Sequence, residues 1–254
     1  MIRFLKFLLS IEEPEHKGMR GESRVVSKLN WLDLSGYKGN ILRNVYVPRK
    51  DGGTTEIDVL FITCKGIFVI ESKNYSGYIF GNSEQSRWTE TLYAGRGFLG
   101  QKKVEKHHFY NPIWQNRTHI NYLKRYLGMD IPFYSFIVFS DGCEFKNVTY
   151  SRDCNVCYRS DLNREIKQLW SMTPNVLSVQ DADDIYERLL PLTNKTRAEK
   201  RQHVRDIRQR QSDPMRCPRC GGQLVLRTAK GGEHAGHQFY GCSNYPRCRY
   251  IRSI

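Results

Sequence analysis

Two short apolar runs, Val59–Thr63 and Gly66–Ile70, stand either side of Cys64-Lys65 and are rich in Val, Ile and Phe. Short β-branched and aromatic runs bounded by turn residues predict strands. A two-residue turn at Cys64-Lys65 pairs positions whose numbers add to 129, which sets Asp58 across from Glu71 and Glu56 across from Lys73. Further strands are expected at Asn40–Val47 and Ile131–Ser140, with Ser76–Phe80 and the Trp88 region continuing the sheet. Helices are expected over 1–30, 112–127, 161–170 and 181–190. At 112–127, Pro112 suits the first turn, and Ile113, Asn116, Ile120 and Leu123 form neighbouring rows. The pattern predicts an α/β fold with a central sheet flanked by helices. No internal repeat is evident.

The hairpin carries acids where its apolar pattern gives them no shelter. Both strands are apolar on both faces, as in a covered central sheet, and burying unpaired charge there is costly. A solvent-facing polar strip is the plain alternative. Opposed carboxylates repel, so Asp58 and Glu71 suggest a cation between them. Mg²⁺ or Mn²⁺ fits, because hard cations take oxygen ligands and keep waters. Such an ion acidifies bound water and stabilises charge on phosphate. Lys73 shares a face with Glu71 and could hold phosphate or orient water. Desolvation would also help its ammonium to lose a proton.

Asp58 followed by Glu71-Ser72-Lys73 resembles the Asp…Glu-x-Lys core of restriction-endonuclease-like nucleases. More narrowly, the chain resembles the nuclease-related domain (NERD) family. The pieces come in order: Gly18-Met19-Arg20-Gly21-Glu22, Glu56-Ile57-Asp58, Gly66 through Gly77, Trp88, and Asn111-Pro112-Ile113-Trp114-Gln115-Asn116-Arg117-Thr118-His119. The likeness spans roughly residues 15–140. It implies a restriction-endonuclease-like mixed sheet and metal-dependent DNA hydrolysis, with Asp58, Glu71 and Lys73 in the catalytic places and Mg²⁺ on Asp58 and Glu71. It also implies Glu22 as a third acid from the first helix, although spacing alone makes Glu22 an ordinary first-turn charge. Gln115 and His119, four residues apart, share a helical row that could face the cleft. Gln115 is expected to orient phosphate or water, and His119 is equally readable as an ordinary polar residue. His107-His108 reads as a loop pair. The Gly-rich stretch from Trp88 to Gln101, with Arg87, Arg96, Lys102, Lys103 and Lys106 around it, reads as a loop. Its Trp88, Tyr93 and Phe98 could stack on bases, or the loop is simply solvated.

Near the C-terminus, Cys217-Pro218-Arg219-Cys220 is answered by Cys242 and Cys248. A segment this small cannot bury enough surface to fold unaided, and four thiolates around Zn²⁺ would supply the missing free energy. Strands at Gln223–Thr228 and His237–Tyr240 would complete a zinc ribbon. Cys-Pro-Arg-Cys-Gly-Gly and Gly-Cys-Ser-Asn-Tyr-Pro-Arg-Cys resemble the C-terminal ribbon of bacterial type IA topoisomerases. That resemblance implies single-stranded DNA binding through Phe239, Tyr240, Tyr245 and Tyr250 with Arg219, Arg247 and Arg249. Strand passage is excluded, since the chain has no room for a strand gate. Cys143, Cys154 and Cys157 read as buried thiols rather than a second zinc site.

The 254 residues carry a formal net charge of +14. Residues 194–254 hold 14 Lys and Arg against 4 Asp and Glu, so the surplus is concentrated there and favours a polyanionic partner. The expected division is 1–192 for the nuclease-related part, 193–214 for a basic helical linker and 215–254 for the ribbon. The linker is either a solvated spacer or a basic helix along phosphates. Met1–Ile11 is apolar but short and interrupted by Lys6, so no stable membrane insertion is expected. With no secretion signal, reduced cysteines and a cytoplasmic location are expected. The partner is expected to be DNA, single-stranded or distorted. A non-catalytic DNA-binding adaptor on the same scaffold is the rival reading, and an RNA-processing enzyme a third.

Overall fold

The computed structural model describes residues 14–96, 102–246 and 248–254. The central sheet has the order β1-β2-β3-β7-β9. Its strands are β1 (Gly39–Pro48), β2 (Thr54–Thr63), β3 (Gly66–Lys73), β7 (Phe133–Phe139) and β9 (Asn155–Tyr158). The first three pair antiparallel, and β3, β7 and β9 pair parallel. The sheet is therefore mixed, as the sequence predicts.

Both faces are covered. Leu42, Leu60, Ile62, Ile67 and Val69 meet α2 (Pro112–Leu127) and α4 (Val179–Leu189) through Leu123, Leu127, Ile185 and Leu189. On the other face, Val59, Phe61, Phe68, Ile70 and Phe136 meet α1 (Pro14–Leu34) and α3 (Leu162–Met172). Val25, Leu29 and Leu32 of α1 recur at helical spacing and are fully buried. Helix α2 begins at Asn111, whose side chain accepts from the Ile113 N–H, and ends at Gly128 in the left-handed region.

A second sheet, β6-β5-β4-β8, comprises β4 (Tyr78–Asn82), β5 (Arg87–Arg96), β6 (Lys102–Tyr110) and β8 (Glu144–Thr149). The strands expected to continue the central sheet at 76–80 and around Trp88 belong instead to this separate sheet. The Trp88–Gln101 stretch is also a paired strand for most of its length, and Trp88 is fully buried, stacked on Phe139 at 6.0 Å. Trp88 is thus a core residue and not a base-stacking platform. His107 and His108 lie in β6 rather than a loop. Phe98 and Gln101 fall outside the described residues, as does the Met1–Ile11 segment.

Helix α5 (Arg197–Ser212) follows a single 3₁₀ turn at Leu190–Thr193. The C-terminal segment folds as β10 (Leu224–Thr228), β11 (Gln238–Cys242) and β12 (Ile251–Ser253). Among the described residues no helix is long and apolar enough to cross a membrane.

Candidate active site

The β2–β3 ladder runs from Thr63↔Gly66 to Val59↔Ile70, in the predicted register. It stops one pair before Asp58 and Glu71. Beyond that point β3 continues against β7 as far as Lys73↔Phe139, while β2 continues against β1 to Thr54. The two strands therefore fork, and the acids sit in the opening. The fork coincides with a break in alternation. Leu60 and Ile62 face the α2 layer, but so does Ile57, three positions from Leu60. The break falls at Asp58, opposite Asn44, whose φ is +51°. Asp58 takes up the freed backbone group, since the Ser72 N–H donates to its Oδ2 at 2.8 Å.

Lys73 and Gln115 close the site from β3 and α2. Lys73 Nζ lies 2.7 Å from Glu71 Oε1 and donates to Gln115 Oε1 at 3.1 Å. His119, one turn beyond Gln115, holds the other side. Its Nδ1 is hydrogen-bonded to Thr55 Oγ1 at 2.7 Å, and its Nε2 stands 3.2 Å from Glu71 Oε2. Glu71 Oε2 is buried and has no aligned hydrogen-bond donor. Asn116 anchors α2 to the sheet by donating to Val69 O and Ser135 Oγ, each at 2.9 Å.

Glu22 reaches the rim from α1. A Cβ on Gly21 would lie 3.1 Å from Ser72 Oγ and 3.2 Å from Asn74 Cβ, so glycine permits this close approach. Glu22 pairs with Arg43 at 3.6 Å, and its Oε2 has no hydrogen-bond partner. Among the described residues, the group of three or more potential metal ligands that stands close enough to hold an ion is the ribbon cysteines.

The charges are uneven. Burial pushes the Asp58 carboxyl well above its ordinary range, and the Glu71 charge adds to this. Burial acts on Glu71 in the same direction, but Lys73 and His119 outweigh it and hold the Glu71 carboxyl low. Burial and the nearby Glu56 and Glu71 raise Glu22 despite Arg43. Burial would depress Lys73, yet the Glu71 contact wins and raises it to about 12. Lys73 therefore remains an ammonium, against the expectation that desolvation helps it lose its proton. Glu56 does not face Lys73. It accepts from Tyr46 Oη at 2.6 Å and stands 3.6 Å from His203 Nε2.

In the C-terminal segment the Sγ atoms of Cys217, Cys220, Cys242 and Cys248 all lie within 4.8 Å of one another. Asn244 donates from its side chain to Cys220 Sγ and from its backbone to Cys242 Sγ. A buried four-thiol set with donors to sulfur fits Zn²⁺. Tyr250 packs edge-on against Trp114 at 6.5 Å, and the Arg219 guanidinium lies 5.7 Å over the same indole. Tyr250 is thus occupied by Trp114 of α2, while Tyr245 is 61% exposed. Arg247 lies outside the described residues. Cys143 and Cys154 are buried in one apolar cluster and Cys157 in another, which leaves them structural thiols.

The profile described as the nuclease-related domain matches residues 17–140. An uncharacterized protein of Bacillus anthracis is 32% identical over 193 residues, covering 76% of this chain and 84% of that protein. The chain belongs to the nuclease-related domain family. The topoisomerase DNA binding C4 zinc finger matches residues 215–254. There the chain is 54% identical over 35 residues to DNA topoisomerase 1 of Archaeoglobus fulgidus, covering 14% of this chain and only 5% of that enzyme. It is 47% identical over 38 residues to the uncharacterized protein YrdD of Escherichia coli, or 15% of this chain and 18% of that protein. No solved structure matches the chain significantly.

Two neighbours of the nuclease-related domain site carried no sequence signal. Thr55 is a strand residue whose partner is 64 positions away. His203, in the basic linker helix, is buried on Tyr46, edge-on at 5.3 Å, and hydrogen-bonded to Thr54 Oγ1 at 2.8 Å. One face of the linker is therefore docked beside the fork rather than fully solvated.

Proposed function

We propose that the protein is a divalent-metal-dependent nuclease that hydrolyses DNA phosphodiester bonds, with its zinc ribbon binding DNA, single-stranded or distorted. On this reading residues 1–192 form the nuclease part, 193–214 the linker and 215–254 the ribbon. Support for catalysis comes above all from one observation: Lys73 meets Glu71 and Gln115 in the fork beside Asp58, where Glu71 Oε2 faces His119 Nε2 at 3.2 Å without an aligned hydrogen bond. A buried acid raised by a second acid favours a cation there.

Asp58 and Glu71 would hold Mg²⁺ or Mn²⁺, an ion that commonly takes one or two carboxylates and keeps its waters. When bound, the ion supplies an acidified water and neutralises charge on the phosphoryl oxygens. Lys73, as a fixed ammonium, holds a non-bridging phosphate oxygen and orients the attacking water. Gln115 fixes the Lys73 head and can donate from its amide to phosphate. Glu22 assists from the rim, bonded to a water. The water gives up a proton to solvent as its oxygen forms the new bond to phosphorus, the ester P–O bond breaks, and the leaving oxygen takes a solvent proton.

The test is incubation of the full chain with labelled single-stranded, duplex and branched DNA under a series of divalent metals. Metal-dependent products are expected from the natural chain. They should vanish in Asp58→Ala and Lys73→Ala, with DNA affinity kept. DNA binding with no cleavage under any metal would support the rival adaptor reading.

A further inference from the structure

Helix α2 presents two chemically different sides. Gln115 and His119 face the fork. Arg117, Asn121, Lys124 and Arg125 recur at helical spacing and, at about 3.6 residues per turn, fall on the opposite side. Against that side stands the zinc ribbon with Arg219 and Arg249, and between them opens a cleft of about 500 Å³. Among the described residues, no acidic one lines it. Arg117 and Arg219 are paired to acids at the rim, Asp153 at 2.6 Å and Glu84 at 3.4 Å. Lys124, Arg125 and Arg249 have no carboxylate partner among the described residues.

The geometry points to this cleft as a second nucleic-acid site, which grips the phosphodiester backbone of a single strand between the nuclease part and the ribbon. It rests on the DNA-binding half of the proposed function and not on cleavage. Its cations come from both units, so the grip requires the ribbon to be docked. The docking is built in: Tyr250 and Arg219 cover Trp114, Arg216 is paired to Asp51 at 2.8 Å, and the Tyr110 hydroxyl donates to Pro218 O. The cleft volume lies within the ~300–1,000 Å³ typical of pockets that enclose one small molecule, which suits a nucleotide or two and leaves no room for a duplex. The cleft and Lys73 lie on opposite sides of α2, a helix about 10–12 Å across with its side chains. A strand held there is anchored beside the fork, not presented to it. Arg219 and Arg249 also adjoin the cysteines and would offset the negative charge of a zinc-bound tetrathiolate. Of the α2 cations, Lys124 lies over the Phe133 ring at 5.2 Å and Arg125 over the Tyr122 ring at 5.7 Å; neither is paired with a carboxylate among the described residues, and the experiment uses them.

Binding of a labelled single-stranded oligonucleotide to the zinc-loaded full chain, without Mg²⁺, is measured by anisotropy across a salt series. Lys124→Glu/Arg125→Glu should weaken binding at least ~10-fold. The slope of log affinity against log salt should become shallower by about 1–2, near 0.7 per lost phosphate contact. Arg24→Glu/Lys28→Glu, the same charge change on α1 across the central sheet, should do much less. Equal losses from both pairs would reduce the effect to net charge and overturn the cleft. An unchanged affinity and slope in the α2 variant would also overturn it, while leaving the DNA-binding reading intact. A natural chain that binds no oligonucleotide would sink both. A mononucleotide that competes as well as the oligonucleotide would make the cleft a nucleotide pocket and end the strand reading.

Discussion

Lys73 Nζ sits 2.7 Å from Glu71 Oε1, two positions earlier on the same strand, and each holds the other in its charged form. The Glu71 side chain is 2% exposed and that of Lys73 16%, so water screens the pair little. Removing one partner leaves a buried charge unpaired, which costs about 3 kcal/mol, whereas removing both is far cheaper. Lys73→Met should therefore lower unfolding free energy by about that amount in a denaturant melt at pH 7, and Glu71→Gln/Lys73→Met should recover much of it. The pH dependence has two limbs. The Lys73 contribution is complete below its unfolded value of 10.5 and is lost as pH rises through about 12. The Glu71 contribution is present above its unfolded value of 4.5 and is lost as pH falls through its lower folded value. A double variant no more stable than the single would refute the pairing.

Asp58 works against the fold. Its carboxyl is raised, so between its unfolded value of 3.8 and the higher folded one the native state binds more protons, and stability falls as pH rises through that window. Asparagine keeps an acceptor for the Ser72 N–H and removes the repulsion with Glu71. Asp58→Asn should gain on the order of 1 kcal/mol, about 2–4 °C in Tm, while abolishing metal-dependent cleavage. A lower Tm would mean that the charge is already well compensated.

The hairpin register, α2 and the cysteine set were legible because each has a local rule: a two-residue turn, an Asn-Pro start, a ligand spacing. Asp58, Glu71 and Lys73 came with the hairpin. The fork did not, because the ladder's end depends on β7 drawing β3 away and on the kink at Asn44, and neither leaves a periodic trace. Trp88 read as a loop aromatic because the glycines of the following segment hid a strand. His203 was invisible for another reason. It is one buried side chain in a helix with almost no apolar residue, and its partners Tyr46, Thr54 and Glu56 lie some 150 positions earlier.

His119 positions Glu71 without displacing it from the site. Its Nδ1 contact to Thr55 fixes the ring, and Nε2 then faces Glu71 Oε2. Losing a group that orients a ligating carboxylate commonly costs 10–100-fold in metal affinity or activity. His119→Ala should raise the half-saturating Mg²⁺ concentration for cleavage by about 10-fold or more, and Thr55→Val should follow in the same direction by less. A fall in rate at saturating metal with an unchanged midpoint would assign His119 a different role.

His203 fastens the linker helix. Its ring is buried on Tyr46 and Thr54, while its neighbours on α5 are largely exposed. His203→Ala should cost about 1–2 kcal/mol and release α5 from the sheet. Trypsin should then cut between residues 195 and 210 faster than in the natural chain, with the central sheet still protected. Equal cutting rates would show that the ring does not hold the helix.

Zinc carries the ribbon's stability, because its apolar core amounts to Leu224 and the cysteines with a few half-buried neighbours. Without the ion, four thiols cannot replace a core. Cys242→Ser or a strong chelator should therefore melt β10–β12 and release zinc measurable by a dye. The β1-β2-β3-β7-β9 sheet has its own clusters on both faces and should keep its thermal transition. The two buried tryptophans of this region report the difference. Trp114 is shielded by Tyr250 and Arg219 of the ribbon, so its emission should move to the red on zinc loss. Trp88 is enclosed by Phe139 and Phe109 and should not change. Single variants Trp88→Phe and Trp114→Phe separate the two signals, and a red shift that persists in Trp114→Phe would contradict this docking of the ribbon.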